Sequence, residues 1–262
     1  MKTGAIVTLA ALAVCASAHP PYLTGTVGSA PVFLDLDLDQ AGGKVSGWYY
    51  YLRVGKQIRL DGTIDAKGRF LIVETDYNTN TKTGSFEGTA AGARWTGTWR
   101  NAKGGGALPF ALEETRDALA STTAPFRCVS IVPDRKYGFT YTHSLDLTLA
   151  KGEVKALDVS RAVKSRDGDE QSCSISLSDL KREKTGEGVL LRARADNPGD
   201  ASAPHCTVRI IGAGDWLVVN VGDAGDSGND CRQAGDAMFC SPRAMWTDLI
   251  VNRKAQTCRP VQ

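Results

Sequence analysis

The stretch that decides the fold is residues 34–51, LDLDLDQAGGKVSGWYYY. Leu34, Leu36 and Leu38 alternate with aspartates, so one face of this segment is apolar and the other is acidic, as in a half-buried β-strand. The glycine pair that follows breaks the pattern and leads into a second alternating run from Val45. The segment therefore predicts two antiparallel strands joined by a short turn.

Similar alternating segments follow until about residue 112. Further strands are predicted over Gln57 to Ile64, Arg69 to Thr75, Gly84 to Thr89, Arg94 to Trp99 and Leu108 to Leu112. Turns this short make consecutive strands neighbours, which predicts a meander of about seven or eight strands. So many strands in a short segment close on themselves to hide their edges. We therefore predict a small up-and-down antiparallel barrel or sandwich over residues 19–114.

The remainder of the chain is distinguished by its cysteines. Residues 115–125 include a Ser/Thr/Pro stretch that is typical of a linker. Beyond it lie Cys128, Cys173, Cys206, Cys231, Cys240 and Cys258. An even number of cysteines in an exported chain indicates disulfides, and the absence of a Cys-x-x-Cys pair disfavours zinc. We predict an all-β fold in which residues 126–262 form a second, disulfide-stapled β-rich domain.

Several pairings of these cysteines are possible, and the sequence does not select among them. We prefer Cys173 with Cys206 and Cys231 with Cys240. The third bridge would then join Cys128 to Cys258, near the two ends of the domain.

The first residues predict export. A charged start at Lys2, an apolar run and a small-x-small site before His19 indicate a signal peptide over residues 1–18. The alternative is a lipobox, in which Cys15 would carry a lipid anchor. No later segment is apolar over the roughly 20 residues that a membrane-spanning helix needs. The predicted location is periplasmic or secreted.

Charge argues against nucleic-acid binding. The whole chain has a formal net charge of +2, and removal of Lys2 brings the mature protein closer to neutral. A nucleic-acid binder usually has a clear basic excess. The densest basic run, Lys181 to Lys184, is interpreted as a solvated loop.

Candidate catalytic and metal-binding residues lack the partners that they would need. Gly225-Asp226-Ser227-Gly228 is also found around the nucleophile of trypsin-like proteases, but the expected histidine setting is absent. Oxygen ligands near Asp226 leave a structural calcium ion open, although the spacing does not match the calcium loop. Glu74 and Glu87 with Asp35, Asp37 or Asp39 are considered as glycosidase carboxyls and set aside, since alternation places the aspartates on a solvated face opposite the leucines. We therefore predict no enzyme, no cofactor and no metal.

The aromatic run at residues 48–51 suggests a binding surface. Alternation sends Tyr49 and Tyr51 to one face of the strand and Trp48 and Tyr50 to the other. Exposed Tyr and Trp are typical of binding sites. Cross-strand aromatic pairs that stabilise the sheet remain the alternative.

A family resemblance covers about residues 22–114. The spaced motifs Val45-x-Gly47-x-Tyr49, Thr83-Gly84-x-Phe86-x-Gly88 and Gly97-Thr98-Trp99 resemble an uncharacterised β-meander module of bacterial secreted proteins. In addition, Ser46-Gly47-Trp48-Tyr49-Tyr50 is similar to the Ser-Gly-x-x-Tyr loop of bacterial C-type lysozyme inhibitors. That family consists of small eight-stranded barrels, and its second motif carries Lys-Gly where this chain has Gly55-Lys56.

The resemblance implies a function for the first domain. We expect an exported binding protein, with an inhibitor of a lysozyme-like cell-wall hydrolase, or an immunity protein against one, as the specific case. Ser46, Trp48, Tyr50 and Lys56 are the expected partner-binding residues, and another protein, such as a peptidoglycan hydrolase, is the expected partner. The alternative is a barrel that carries a small apolar ligand, which would require a hollow interior.

Overall fold

The protein is all-β, as predicted. A computed structural model describes residues 22–39, 43–76, 79–115, 124–150, 153–178, 181–185, 188–194, 205–221 and 249–261. The predicted signal peptide with Cys15, and the Asp226 loop with Cys231 and Cys240, lie outside these residues. In the described part of the chain, no helix has the length and apolar character needed to cross a membrane.

The first eight strands form a closed antiparallel barrel. They are β1 (Tyr22–Val27), β2 (Ala30–Asp39), β3 (Lys44–Tyr51), β4 (Lys56–Ile64), β5 (Arg69–Asp76), β6 (Thr81–Ala91), β7 (Arg94–Asn101) and β8 (Ala107–Glu114). Each strand pairs with its neighbours in sequence, and β1 pairs with β8 to close the barrel, with Gly25 opposite Leu112. Of the two predicted architectures, the barrel is therefore the one that forms.

Side chains at alternate positions of the strands fill the inside of the barrel. Leu34 and Leu36 are buried in its core, and the intervening aspartates lie on the other face of β2. Aromatic rings meet across the interior: the ring centroids of Phe86 and Phe110 are 5.3 Å apart, and those of Phe70 and Trp95 are 4.9 Å apart. Side chains of the protein itself thus occupy this part of the interior.

Inward-facing glycines allow the strands to curve into so small a barrel. Gly88 on β6 lies opposite Gly97 on β7. A Cβ on Gly88 would lie 2.1 Å from the Thr96 carbonyl oxygen, and one on Gly97 equally close to that of Glu87. Any other residue would collide with the backbone of the next strand, so both positions require glycine.

The rest of the chain forms two further sheets. The four-stranded sheet has the order β12 (Glu170–Ser178), β11 (Glu153–Lys164), β10 (Phe139–Ala150), β9 (Ala124–Asp134). The six-stranded sheet runs in sequence through β13 (Lys181–Thr185), β14 (Gly188–Arg194), β15 (His205–Ala213), β16 (Trp216–Val221), β17 (Leu249–Asn252) and β18 (Thr257–Pro260). The two sheets enclose one hydrophobic core, to which Leu145, Leu157, Leu217 and Val251 contribute. We call this pair of sheets the sandwich.

The six-stranded sheet is covered on both of its faces at β16 and β17. Leu217 and Val219 point into the sandwich, whereas Val218 belongs to a second cluster together with Phe33 and Tyr50 of the barrel. The same arrangement explains the consecutive apolar residues 217–219 of β16 and 249–251 of β17, since a strand buried on both sides does not need to alternate. The barrel and the sandwich thus share a buried contact, which we call the inter-domain cluster.

One disulfide joins the two sheets of the sandwich. Cys128 on β9 is bonded to Cys258 on β18, with the Cα atoms 5.6 Å apart. This confirms the predicted pairing of these two residues. Cys173 lies on β12 opposite Arg161, and Cys206 lies on β15 opposite Ala193, but their side chains are outside the described part. The other two pairings therefore stay predictions.

Three strands, β1, β13 and β18, were not predicted from the sequence pattern. The run at Lys181 is not a solvated loop, because Lys181–Thr185 pairs with β14 as an edge strand. Charged side chains are common on edge strands, where they discourage pairing with other chains. β1 and β18 are short and lack a clear alternating pattern, which is why periodicity did not reveal them.

Candidate functional site

The four predicted partner-binding residues are not brought together. Ser46 lies opposite Asp61 on β4, while Lys56 lies opposite Tyr51 at the other end of the same strand pair. Five residues of β3 separate the two positions, which corresponds to about 16 Å at roughly 3.3 Å per residue. Ser46 is exposed, but it cannot act with Lys56 on the same small group.

Tyr50 and Trp48 contact the chain's own second half. Tyr50 is buried in the inter-domain cluster beside Phe33, and Trp48 packs against the same cluster. The hydroxyl of Tyr50 accepts a hydrogen bond of 3.1 Å from the Gln57 side chain. The surface that these aromatics contact is that of the six-stranded sheet of the same chain.

Lys56 stands at one end of the barrel, which we call the barrel mouth. Its Nζ lies 2.8 Å from Asp76 Oδ2. This ion pair and hydrogen bonds from Thr79 lower the pKa of Asp76 to about 2. Half of the Lys56 side chain remains exposed, so the ammonium group is accessible but already has a partner.

A buried carboxyl lies just inside the barrel mouth. Glu74 on β5 is 1% exposed and accepts a hydrogen bond from the indole nitrogen of Trp99 on β7. Gly84 makes this contact possible, because a Cβ there would lie 2.4 Å from Glu74 Oε2. Burial raises the pKa of Glu74 to about 7, and the Trp99 hydrogen bond and the nearby Lys56 ammonium only partly oppose the shift.

Two phenols complete this group. Tyr49 is fully buried, and its ring packs edge-on against Tyr51 with the centroids 4.7 Å apart. Burial, with contributions from Tyr51 and Glu74, holds the pKa of Tyr49 far above its ordinary value. Burial also raises the pKa of Tyr51, so both phenols stay protonated beside the Glu74 carboxyl.

The sequence carried a signal for Glu74 that we did not use. Phe70, Ile72 and Glu74 share one face of β5, and the first two are buried in the barrel core. A carboxyl in phase with two core residues is predicted to point inward. Glu74 was not predicted to be buried or part of the barrel core, and was considered only as one of a pair of catalytic carboxylates.

The raised pKa of Glu74 predicts that stability depends on pH. The folded-state pKa of about 7 exceeds the ordinary 4.5, so the stabilisation from the neutral carboxyl is complete below pH 4.5 and is lost as the pH rises through 7. One pKa unit corresponds to about 1.4 kcal/mol, so the loss amounts to about 3 kcal/mol. Glu74→Gln should remove this dependence of stability on pH. Thermal melts of the wild type and of this variant from pH 4 to 8 would measure the difference.

The control for this experiment is Glu87→Gln, which neutralises an exposed carboxyl on β6. Its melting temperature should follow that of the wild type at each pH. If the difference between wild type and Glu74→Gln does not change with pH, Glu74 does not titrate in this interval.

The outer face of the barrel holds an open groove on the strands that the sandwich does not cover. Thr63, Leu71, Glu87 and Thr98 form a row across β4, β5, β6 and β7. The groove has a volume of about 900 Å³, and Leu71 within it is 52% exposed. Charged side chains border it: Arg69 and Asp65 form an ion pair of 2.7 Å, and Arg100 and Glu87 also line the groove. We call this feature the barrel groove.

A second group of buried polar side chains lies on the sandwich side of β10 and β11. His143 is buried opposite Arg161, and the guanidinium of Arg161 lies 4.7 Å from the centre of the Tyr141 ring. Burial and the charge of Arg161 lower the pKa of His143 to about 4. At neutral pH the histidine is therefore uncharged, which suits its position beside a cation.

Metal-ligating residues do not gather in the described ranges, where no group of three or more His, Cys, Asp or Glu could hold an ion. The possible calcium loop at Asp226 lies outside those ranges. Searches with this chain found no matching family model, no matching characterised protein and no matching solved structure.

Proposed function

We propose that this chain is an exported, non-enzymatic binding protein whose barrel binds another protein through the barrel groove. The observation that carries this proposal is the half-exposed Leu71 in an open groove with a charged border. An apolar centre with a polar rim is the usual composition of a protein-binding surface. The groove also lies on the side of the barrel that the inter-domain cluster leaves uncovered.

The packed interior favours a surface function over the carriage of a small apolar ligand. Rings from β5, β6, β7 and β8 meet across the barrel, with Phe70 and Phe110 centroids 5.9 Å apart. A carrier needs an interior space of a few hundred Å³ for its ligand. The aromatic contacts through the centre of the barrel therefore support a partner that binds to the outer surface of the barrel.

A lysozyme-like cell-wall hydrolase is the partner that we propose to test first. The number of strands in the closed barrel, eight, is the number that the resemblance to bacterial C-type lysozyme inhibitors implies, and this supports the choice. We infer that a convex part of the enzyme fills the concave groove, so that the barrel blocks the substrate cleft by covering it. The resemblance instead favours Lys56 as the residue that contacts the partner. Lys56 lies at the barrel mouth, which is therefore the second candidate binding site on this domain.

The test is inhibition of peptidoglycan lysis by a panel of C-type, G-type and bacterial muramidases. We expect micromolar wild-type protein to slow at least one of them. Leu71→Lys places a charge in the apolar centre and should weaken inhibition about 30-fold, the effect of losing about 2 kcal/mol at a binding hot spot. Lys56→Ala is the matched variant and should retain inhibition.

The possible results distinguish whether the protein inhibits a hydrolase from where on the barrel the hydrolase binds. If Lys56→Ala loses inhibition and Leu71→Lys keeps it, the barrel binds at its mouth and the groove assignment is wrong. If wild type inhibits no enzyme of the panel, the hydrolase proposal fails.

A further inference from the structure

The barrel groove contains two charged side chains of opposite sign that have no charged partner. Glu87 lies on β6 directly opposite Leu71, the apolar centre of the groove, and Arg100 lies on β7. Within the described ranges, neither side chain forms an ion pair. Both are exposed, so water solvates the two charges in the free protein.

Two other arginines on the same face of the barrel are already paired. Arg69 contacts Asp65 at one end of the groove, with 2.7 Å between Nη2 and Oδ2. Arg59 on β4 contacts Asp61, with 2.7 Å between Nε and Oδ2. The described part of the fold therefore supplies counter-charges for these two arginines, whereas Arg100 is left without one.

Glu87 and Arg100 do not neutralise each other in the free protein, although they are close. Glu87 lies opposite Thr98 on β7, and Arg100 lies two residues further along that strand, opposite Ser85. Such diagonal positions are about 7–8 Å apart, a separation that long side chains can span. Direct pairing of the two residues in a complex is therefore the alternative that a test has to separate from pairing with a partner.

A protein that covers the groove would remove the water that solvates these charges. A charge that is buried without a partner is strongly unfavourable, because nothing replaces its lost hydration. Burial is tolerated when an opposite charge with good hydrogen-bond geometry takes the place of the water. A protein that binds at the groove thus has to supply opposite charges for Glu87 and Arg100.

We propose that the partner presents an apolar side chain to Leu71, a basic side chain to Glu87 and a carboxylate to Arg100. This assignment rests on the proposed function, since it describes the partner that fits the barrel groove. The three residues belong to the adjacent strands β5, β6 and β7, so the three partner groups follow one another over about 10 Å. Arginine binds a carboxylate through two parallel hydrogen bonds, which suits Arg100 to an Asp or Glu of the partner.

The presence of both charges favours a protein over other polymers as the occupant. A nucleic acid offers phosphates for Arg100 but no cation for Glu87. A protein surface carries apolar, basic and acidic side chains within the same short distance. The combination of Leu71, Glu87 and Arg100 is therefore met most directly by a partner protein.

Charge reversal tests the proposal in the peptidoglycan-lysis assay, with the muramidase that the wild type inhibits most strongly. Arg100→Glu and Glu87→Lys should each raise the inhibition constant at least tenfold, because each brings like charges together across the contact. Lys103→Glu is the matched control for net charge, on an exposed residue after β7 that does not line the groove. It should inhibit like the wild type. All three variants should melt like the wild type, since the three side chains are exposed.

A variant with exchanged charges, Glu87→Arg together with Arg100→Glu, separates the two kinds of pairing. If the partner supplies the counter-charges, this variant should inhibit less well than either single reversal. Restored inhibition by the exchanged variant, or single reversals that inhibit like the wild type, would overturn the proposal and leave the inhibitor function intact. A wild type that inhibits no muramidase of the panel would overturn the proposed function and this partner together.

Discussion

Replacing both Cys128 and Cys258 by serine is expected to lower the free energy of unfolding of the sandwich by about 4–5 kcal/mol. The bridge closes a loop with a sequence separation of 130 residues, and a long loop loses much entropy in the unfolded chain. It also ties β9 to β18, the outer strands of two different sheets. Urea denaturation of the double variant would measure the loss.

The barrel should retain its structure in this variant. It contains neither cysteine of the bridge, and its strand ladder closes on itself through β1 and β8. Hydrogen exchange would compare the two halves: protection should fall over residues 124–261 and persist over residues 22–115. Equal loss in both halves would show that the inter-domain cluster makes the chain a single cooperative unit.

Phe33→Ala is expected to cost about 3–5 kcal/mol, which is typical for a buried phenylalanine. Phe33 is 1% exposed although it lies on the outside of the barrel, because the six-stranded sheet covers it. Its ring packs between Tyr22 and Tyr50, with both centroid distances 5.7 Å. The substitution leaves a cavity between the barrel and the sandwich, and urea denaturation measures its cost.

Leu71→Ala is the matched control, since Leu71 also lies on the outer face of the barrel but is half exposed. Its substitution should change the free energy of unfolding by about 0.5 kcal/mol or less. Equal effects of the two substitutions would contradict the assignment of Phe33 to a buried contact.

Strand alternation made most of the barrel predictable. The alternation at Leu34, Leu36 and Leu38 predicts which face of β2 points into the barrel. The short turns make consecutive strands neighbours. The choice between barrel and sandwich required one more strand, β1, whose Tyr22–Val27 sequence is short and contains a glycine. That strand supplies the closing partner of β8, so the fold class was accessible from the sequence while the strand that closes the barrel was not.

The covering of Tyr50 could not be predicted from local sequence. Alternation correctly separates Tyr49 from Tyr50, but both are buried, one in the barrel core and the other in the inter-domain cluster. The second burial depends on β15 to β17, more than 150 residues later in the chain. A strand pattern reports which residues share a face and does not report what lies against it.

The six-stranded sheet lies between the barrel and the four-stranded sheet, and this position affects how a newly made chain folds. Synthesis proceeds from the N-terminus, so the residues of the barrel and of the four-stranded sheet are made before those of β15 to β18. At about 5–20 residues per second, Cys128 would wait roughly 6–26 s for Cys258, during which other cysteines compete for it. Phe33 and Tyr50 would face water for most of that interval. The last strands to appear thus close both cores, and a chaperone or a disulfide isomerase would act on the chain before they arrive.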